Sequence, residues 1–275
     1  MLCTCVWTLF TTTILAQEQV HSFYAGAFIG VSLYNGDLVD QPIEQIAETH
    51  PAFGAYLRFN YGKYFSARLT GTYGRVSGKD SNSSKLWRRT RNLRFRSPVL
   101  EMALIPEINI YEIELPEKHY KIIPYAFAGI GGFWFNPQAP SPDNMNEWVN
   151  LQPQGTEGQG LPGNEDLYSR IAISIPNGIG VKFQIGDYTT FTWETGIRIT
   201  LTDYLDDVHH LYPDFEQLRD LRGEIAVGLS DRTMEYTGVP STVQPGDTRS
   251  NGELNDVFIF SGFSVSINLS PKAKP

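Results

Sequence analysis

Read in steps of two, long stretches of the chain alternate apolar with small or polar residues, as strands do when successive side chains point to opposite faces. From Arg170 to Gly186 the odd positions carry Ile171, Ile173, Ile175, Ile179, Val181, Phe183 and Ile185, while the even ones carry Ser174, Gly178, Gly180, Lys182 and Gln184. The next run sets Phe191, Trp193, Ile197 and Ile199 against Thr190, Thr192, Glu194, Gly196 and Arg198, and only "IGDYT" separates the two. A late run places Val257, Ile259, Phe263, Val265 and Ile267 opposite Gly262, Ser264 and Ser266, with Phe258 and Phe260 out of pattern. An earlier one alternates Leu100, Met102, Leu104 and Ile108 with Glu101, Ala103 and Glu107. Noisier alternation near 23–34, 52–61, 64–75 and 122–135 brings the predicted number of strands to eight.

Alternation alone leaves two barrels open, one with its apolar face inside and one with it toward lipid. Three features select the second. The polar face is mostly Gly, Ser, Ala and Thr rather than the dense Lys and Glu of a solvated surface. The runs reach ten residues or more, enough for a tilted strand to cross a bilayer. Connections alternate between tight ("YGK", "PEKH", "GDY") and long (near 35–50, 76–93, 136–168 and 203–255), as in outer-membrane barrels. The expected fold is an all-β, eight-stranded antiparallel up-and-down transmembrane β-barrel with long extracellular loops. An even number of strands puts both termini on the periplasmic side. Tyr24, Tyr61, Tyr64, Phe65, Tyr125, Phe133, Trp134, Phe135 and Tyr188 fall toward strand ends and are expected to form aromatic girdles.

The first residues add an export signal. Residues 1–16 are uncharged and mostly apolar and end in Ile-Leu-Ala, which suits a signal peptide cut after Ala16, leaving 17–275 as a single barrel domain in the outer membrane. Both cysteines, Cys3 and Cys5, lie in that stretch, so the mature chain is expected to lack disulfides, Cys-bound zinc and Cys nucleophiles. The cysteines precede most of the apolar run, which argues against lipid modification, and no stretch is long and apolar enough for a spanning helix.

Eight strands leave an interior that side chains can fill. Arg58, Arg68, Lys182 and Arg198 face Glu101, Glu107 and Glu194 there, and near-balanced charges in so confined a space are expected to pair as a plug. A proton or ion path through those pairs is the functional alternative. Outside the strands, segment 79–96 is basic, while 203–256 holds twelve acidic residues against four arginines, a difference equal to the chain's net charge of −8. The two segments are expected to dock as a charge cap, Arg88, Arg89 and Arg91 facing Asp203, Asp206 and Asp207, although the basic one could instead meet lipid phosphates or an anionic partner. Within the acidic segment, Phe215, Leu218 and Leu221 recur at helical spacing, which predicts a short surface helix over the barrel mouth.

"TDYLDDVHHLYPD" packs four aspartates and two histidines into residues 202–214 and invites a divalent cation. Its spacing matches no EF-hand or zinc pattern, and adjacent histidine side chains diverge in most backbone conformations, so neither metal nor cofactor is expected. No local arrangement of hydrolase residues stands out, which leaves a lipid-modifying barrel enzyme only as a construction from separate loops.

"GVSLYNGDL", "PAFGAYLRFNYG", "RNLRFRSPVLE", "PYAFAGIGGFWFNP", "LQPQGTEGQG", "TDYLDDV" and "GLSDRT" together, in this order from about Ala25 to Leu269, resemble the Bacteroidota outer-membrane β-barrel family that includes PorG of the type IX secretion system. The resemblance implies a non-enzymatic outer-membrane barrel that assembles or anchors the secretion machinery. Its implied partners are outer-membrane lipid and periplasmic ring proteins like PorK and PorN, with no nucleic acid. A lipid-modifying barrel enzyme and a small-solute pore are the competing readings. The tail "SPKAKP" continues past the residues that usually end such a barrel.

Overall fold

A computed structural model describes residues 21–39, 41–115, 120–250 and 255–270. The expected signal peptide, the "PEKH" turn at 116–119 and the last five residues of the tail lie outside these. Twelve antiparallel strand segments occur among the described residues: β1 (His21–Asn35), β2 (His50–Tyr61), β3 (Phe65–Lys79), β4 (Arg94–Asn109), β5 (Ile113–Leu115), β6 (Tyr120–Ala128), β7 (Ile130–Phe135), β8 (Gln138–Pro140), β9 (Trp148–Asn150), β10 (Ile171–Ile185), β11 (Thr189–Thr200) and β12 (Val257–Asn268).

β1 pairs with β2, β2 with β3 and β3 with β4; β10 pairs with β11 and β11 with β12, and β12 returns to β1. The gap between β4 and β10 is filled by β6 and β7, two pieces of one wall strand interrupted at Gly129, each bonded to both neighbours. The ring therefore closes with eight staves. The larger number of segments comes from this break and from three short additions, β5 beside β6 and the β8–β9 hairpin above β4. Closure satisfies the backbone along every wall strand without an open edge, as a barrel in lipid requires.

The exterior is oily. Ile29, Met102, Ile171 and Phe263 are 61%, 63%, 69% and 65% exposed, and further Ile, Leu, Val, Phe and Trp side chains stand out from every stave. An apolar surface that continuous belongs in lipid rather than water. The opposite face of the same strands is buried and polar, with Thr70, Thr72, Ser174, Thr192, Ser264 and Ser266 among its members. The result is an all-β, antiparallel, membrane-type barrel.

Its two ends differ. At one, three-residue turns join β2 to β3 and β10 to β11, with Gly62 and Gly186 at φ 69° and 59°, backbone that glycine adopts without strain. The start of β1 and the end of β12 sit there too, where the Leu269 amide donates to the Phe23 carbonyl at 2.7 Å. At the other end the long connections carry α1 (Pro42–Ala47), α2 (Leu86–Arg91), α3 (Phe215–Arg222), α4 (Glu224–Ser230) and α5 (Thr233–Thr237).

Aromatic residues divide between the two faces. Tyr61, Tyr64, Phe65 and Tyr188 are exposed around the turn end and Trp134 is exposed on its strand, whereas Tyr24, Tyr125, Phe133 and Phe135 point inward and are buried, so they are not girdle residues. The register explains this: Phe133 and Phe135 share parity with Tyr125 and Phe127 on the inner face, and Trp134 lies on the outer one. Phe258 and Phe260, which broke the alternation, point inward as well. With Phe95, Phe133, Phe135 and Tyr34 they build an apolar plug continuous with Leu205, Val208 and Leu229 of the loops.

Candidate functional site: the filled lumen and its loop cap

The lumen below the plug is a chain of ion pairs. Glu107 lies 3.1 Å from Arg58, 3.2 Å from Arg68 and 2.7 Å from Lys182. Arg68 also reaches Glu194 at 2.7 Å, and Arg198 meets Glu101 at 3.3 Å. All seven side chains are buried, and Tyr125 and Ser174 donate to Glu194 and Glu101 at 2.6 and 2.7 Å. The guanidinium carbons of Arg58 and Arg68 lie 5.0 and 5.2 Å from the Tyr56 ring centre. Small residues make room for the aromatics: a Cβ on Gly180 would come within 2.6 Å of the Tyr125 ring, and one on Gly196 within 2.7 Å of the Phe127 ring and of Arg198.

Above the plug the loops are tied by buried charges, with partners other than those expected from charge alone. Arg91 grips Asp80 with two hydrogen bonds of 2.8 Å and donates to the carbonyls of Arg249 and Asp37. Arg88 lies 3.6 Å from Glu44, and Arg89 is half-buried on the same helix. The basic segment does meet the acidic one, Arg91 at the Arg249 carbonyl and Arg94 at Glu235, but none of Arg88, Arg89 and Arg91 forms an ion pair with Asp203, Asp206 or Asp207 among the described contacts. A nearby carboxylate fits the planar guanidinium fork with little chain to order, and Asp80 sits next to α2 in both sequence and space. The basic segment is also partly wall, since Lys79 ends β3 and Arg94–Arg96 begin β4.

The acidic segment makes its own arrangements. Asp207, in left-handed backbone at φ 69°, accepts from Thr156 at 2.5 Å and from Tyr168 at 2.7 Å, and its carbonyl accepts from Arg249 at 2.7 Å. Burial pushes its carboxyl up to about 6 although Arg249 draws it down. Arg249 in turn holds Glu157 at 3.0 Å. The Tyr34 hydroxyl lies 2.5 Å from Asp206 Oδ2 and 2.8 Å from Asp256 Oδ1. One phenol carries one proton, so both contacts are hydrogen bonds only if a carboxyl keeps a proton of its own. Burial, reinforced by mutual repulsion with Asp37 nearby, holds Asp206 and Asp256 well above the usual carboxylate range. Their remaining oxygens accept from the Val208 and Leu205 amides at 2.9 Å, which stitches the loop to the start of β12.

His209 and His210 do not diverge; their rings lie 3.7 Å apart, with His209 Nδ1 2.7 Å from Asp203. Burial lifts Asp203 to about 6 against the pull of His209. Among the described residues no group of three or more His, Cys, Asp and Glu is placed to hold a metal ion. Ser250 Oγ donates to the His209 carbonyl at 2.9 Å. The short helix expected around Phe215, Leu218 and Leu221 is α3, capped by Asp214, whose Oδ1 accepts from the Glu216 and Gln217 amides, and α4 follows it after Gly223. Leu218 is buried and Leu221 exposed, so the apolar stripe is narrower than its spacing implies. A cavity of about 500 Å3 opens beside this segment, lined by Tyr204, His210, Tyr212, Glu157, Glu165 and Asp214.

Comparison with solved structures finds similarity to Neisserial surface protein A (NspA), at 10% identity over 90% of this chain and 99% of that one, TM-score 0.39. Ail, the attachment invasion locus protein of Yersinia pestis, is similar at 8% identity over 90% and 97%, TM-score 0.37. At such scores the architecture rests on this chain's own strand pairing and exterior. No curated protein matches the sequence. A family model described as "Domain of unknown function (DUF6089)" matches residues 2–149, more than half of the 275. The chain belongs to that family.

Proposed function

We propose that this protein is a non-enzymatic, non-conducting barrel of the outer membrane that serves as an anchoring component of a secretion complex of the type IX kind, its turns and termini facing the periplasm. The observation that carries the reading is the double obstruction of the lumen, an ion-paired chain below and a buried aromatic plug above. A barrel so filled offers no route to a solute, which leaves its surfaces as the working parts. The resemblance noted in the sequence supports the identity of the complex. Outer-membrane lipid covers the belt, and periplasmic ring proteins like PorK and PorN are the partners proposed for the turn end.

A photo-crosslinking residue placed at Lys63 or Asp187, on the two tight turns, tests the proposal in native membranes. Mass spectrometry is expected to recover adducts with ring proteins. Efficient crosslinking to lipid or to unrelated proteins alone would overturn it.

A further inference from the structure

Beyond that reading, the turn end of the lumen holds a charge imbalance. Arg58, Arg68 and Lys182 converge on two carboxylates, Glu107 and Glu194, so three cations meet two anions in a buried space. The Arg198–Glu101 pair farther along is balanced and contributes nothing to the difference. A buried unit charge without a counter-charge is costly.

The geometry shows where a counter-charge would sit. A cavity of about 30 Å3 lies at this end, lined by Arg58, Lys182, Tyr24, Asn60, Asn109 and Thr190. Arg58 is 2% exposed and its Nη2 is buried without a hydrogen-bond acceptor among the described residues, although Nε is engaged by Glu107. Lys182 adds its ammonium to the same wall, 2.8 Å from Asn109 Oδ1. The volume matches roughly one water-sized occupant. A small inorganic anion suits a space of this kind best.

We propose that this pocket binds one monatomic halide ion against Arg58 Nη2 and Lys182, which neutralises the lumen network and makes the ion part of the folded structure. Bromide is the probe. Thermal unfolding of the detergent-purified protein, at constant ionic strength with sodium gluconate replaced by sodium bromide, is expected to shift upward and saturate, by about 5 °C at bromide well above its Kd. Lys182→Met leaves two cations on two carboxylates and is expected to fold and to lose the bromide dependence. Crystals soaked in bromide are expected to show one anomalous peak beside Arg58 Nη2, a readout independent of whether the variant folds. Identical unfolding of the wild type in gluconate and bromide, a bromide response that survives Lys182→Met, or a pocket holding water only would overturn the proposal.

Discussion

The turn-end lumen and the loop cap both bury charge, and they solve the problem in different ways. In the lumen each carboxylate meets guanidinium or ammonium groups at 2.7 to 3.3 Å, carried by separate rigid staves. In the cap, Asp206 and Asp256 have no ion-pair partner among the described residues and are held by a phenol and two amides, with burial favouring their protonated form. A barrel wall can fix opposed charges across a narrow space because closure leaves it nowhere to go. The loops do both: Arg91–Asp80 and Arg249–Glu157 are paired there, while Asp206 and Asp256 rely on burial and hydrogen bonds. The lumen should therefore answer to mutation, and the cap to mutation and to pH.

The largest effect is expected from Glu107→Gln, which leaves Arg58, Arg68 and Lys182 facing one fewer carboxylate. Removing one member of a buried charged set costs about 3–5 kcal/mol, read as a loss of resistance to urea unfolding in detergent. Phe258→Ala opens the aromatic plug and should cost about 3–4 kcal/mol; if the loops repack into the gap, the loss will be smaller and the plug less specific than its geometry implies.

pH tests the cap. Carboxyls whose folded pKa is raised bind more protons folded than unfolded, so stability is fullest below about pH 4 and is lost as pH rises through the folded values. Asp203 and Asp207, lifted to about 6, place that loss between about pH 4 and 6, and the Asp206–Asp256 pair extends it upward. Limited proteolysis of the loops should accordingly speed up between pH 5 and 8, and Asp206→Asn should flatten the change. Cleavage that slows over that range would contradict the proton-sharing arrangement. The smallest effect, under about 1 kcal/mol, is expected from Arg94→Ala at its partly exposed pair with Glu235.

Period-two alternation made the wall legible residue by residue, because lipid on one side and a tight lumen on the other impose opposite chemistry on adjacent positions. The seven lumen charges were legible for the same reason: each sits at inward parity in an otherwise small, polar series. The plug was hidden, since Phe133 and Phe135 flank Trp134 and an unbroken aromatic run conceals its parity. Phe258 and Phe260 gave the missed signal, two aromatics at inward parity just before β12 turns polar inside. The cap was least legible. Net charge brought the two segments together but did not identify the individual partners, which local geometry chose: Asp80 for Arg91 and Glu157 for Arg249.

Conductance across a planar bilayer tests the central claim most directly. Protein whose insertion is verified by protection from protease should pass no steady current at any moderate voltage, because the ion-paired lumen and the aromatic plug block the path in series. A stable, ohmic conductance step for each inserted molecule would contradict the account.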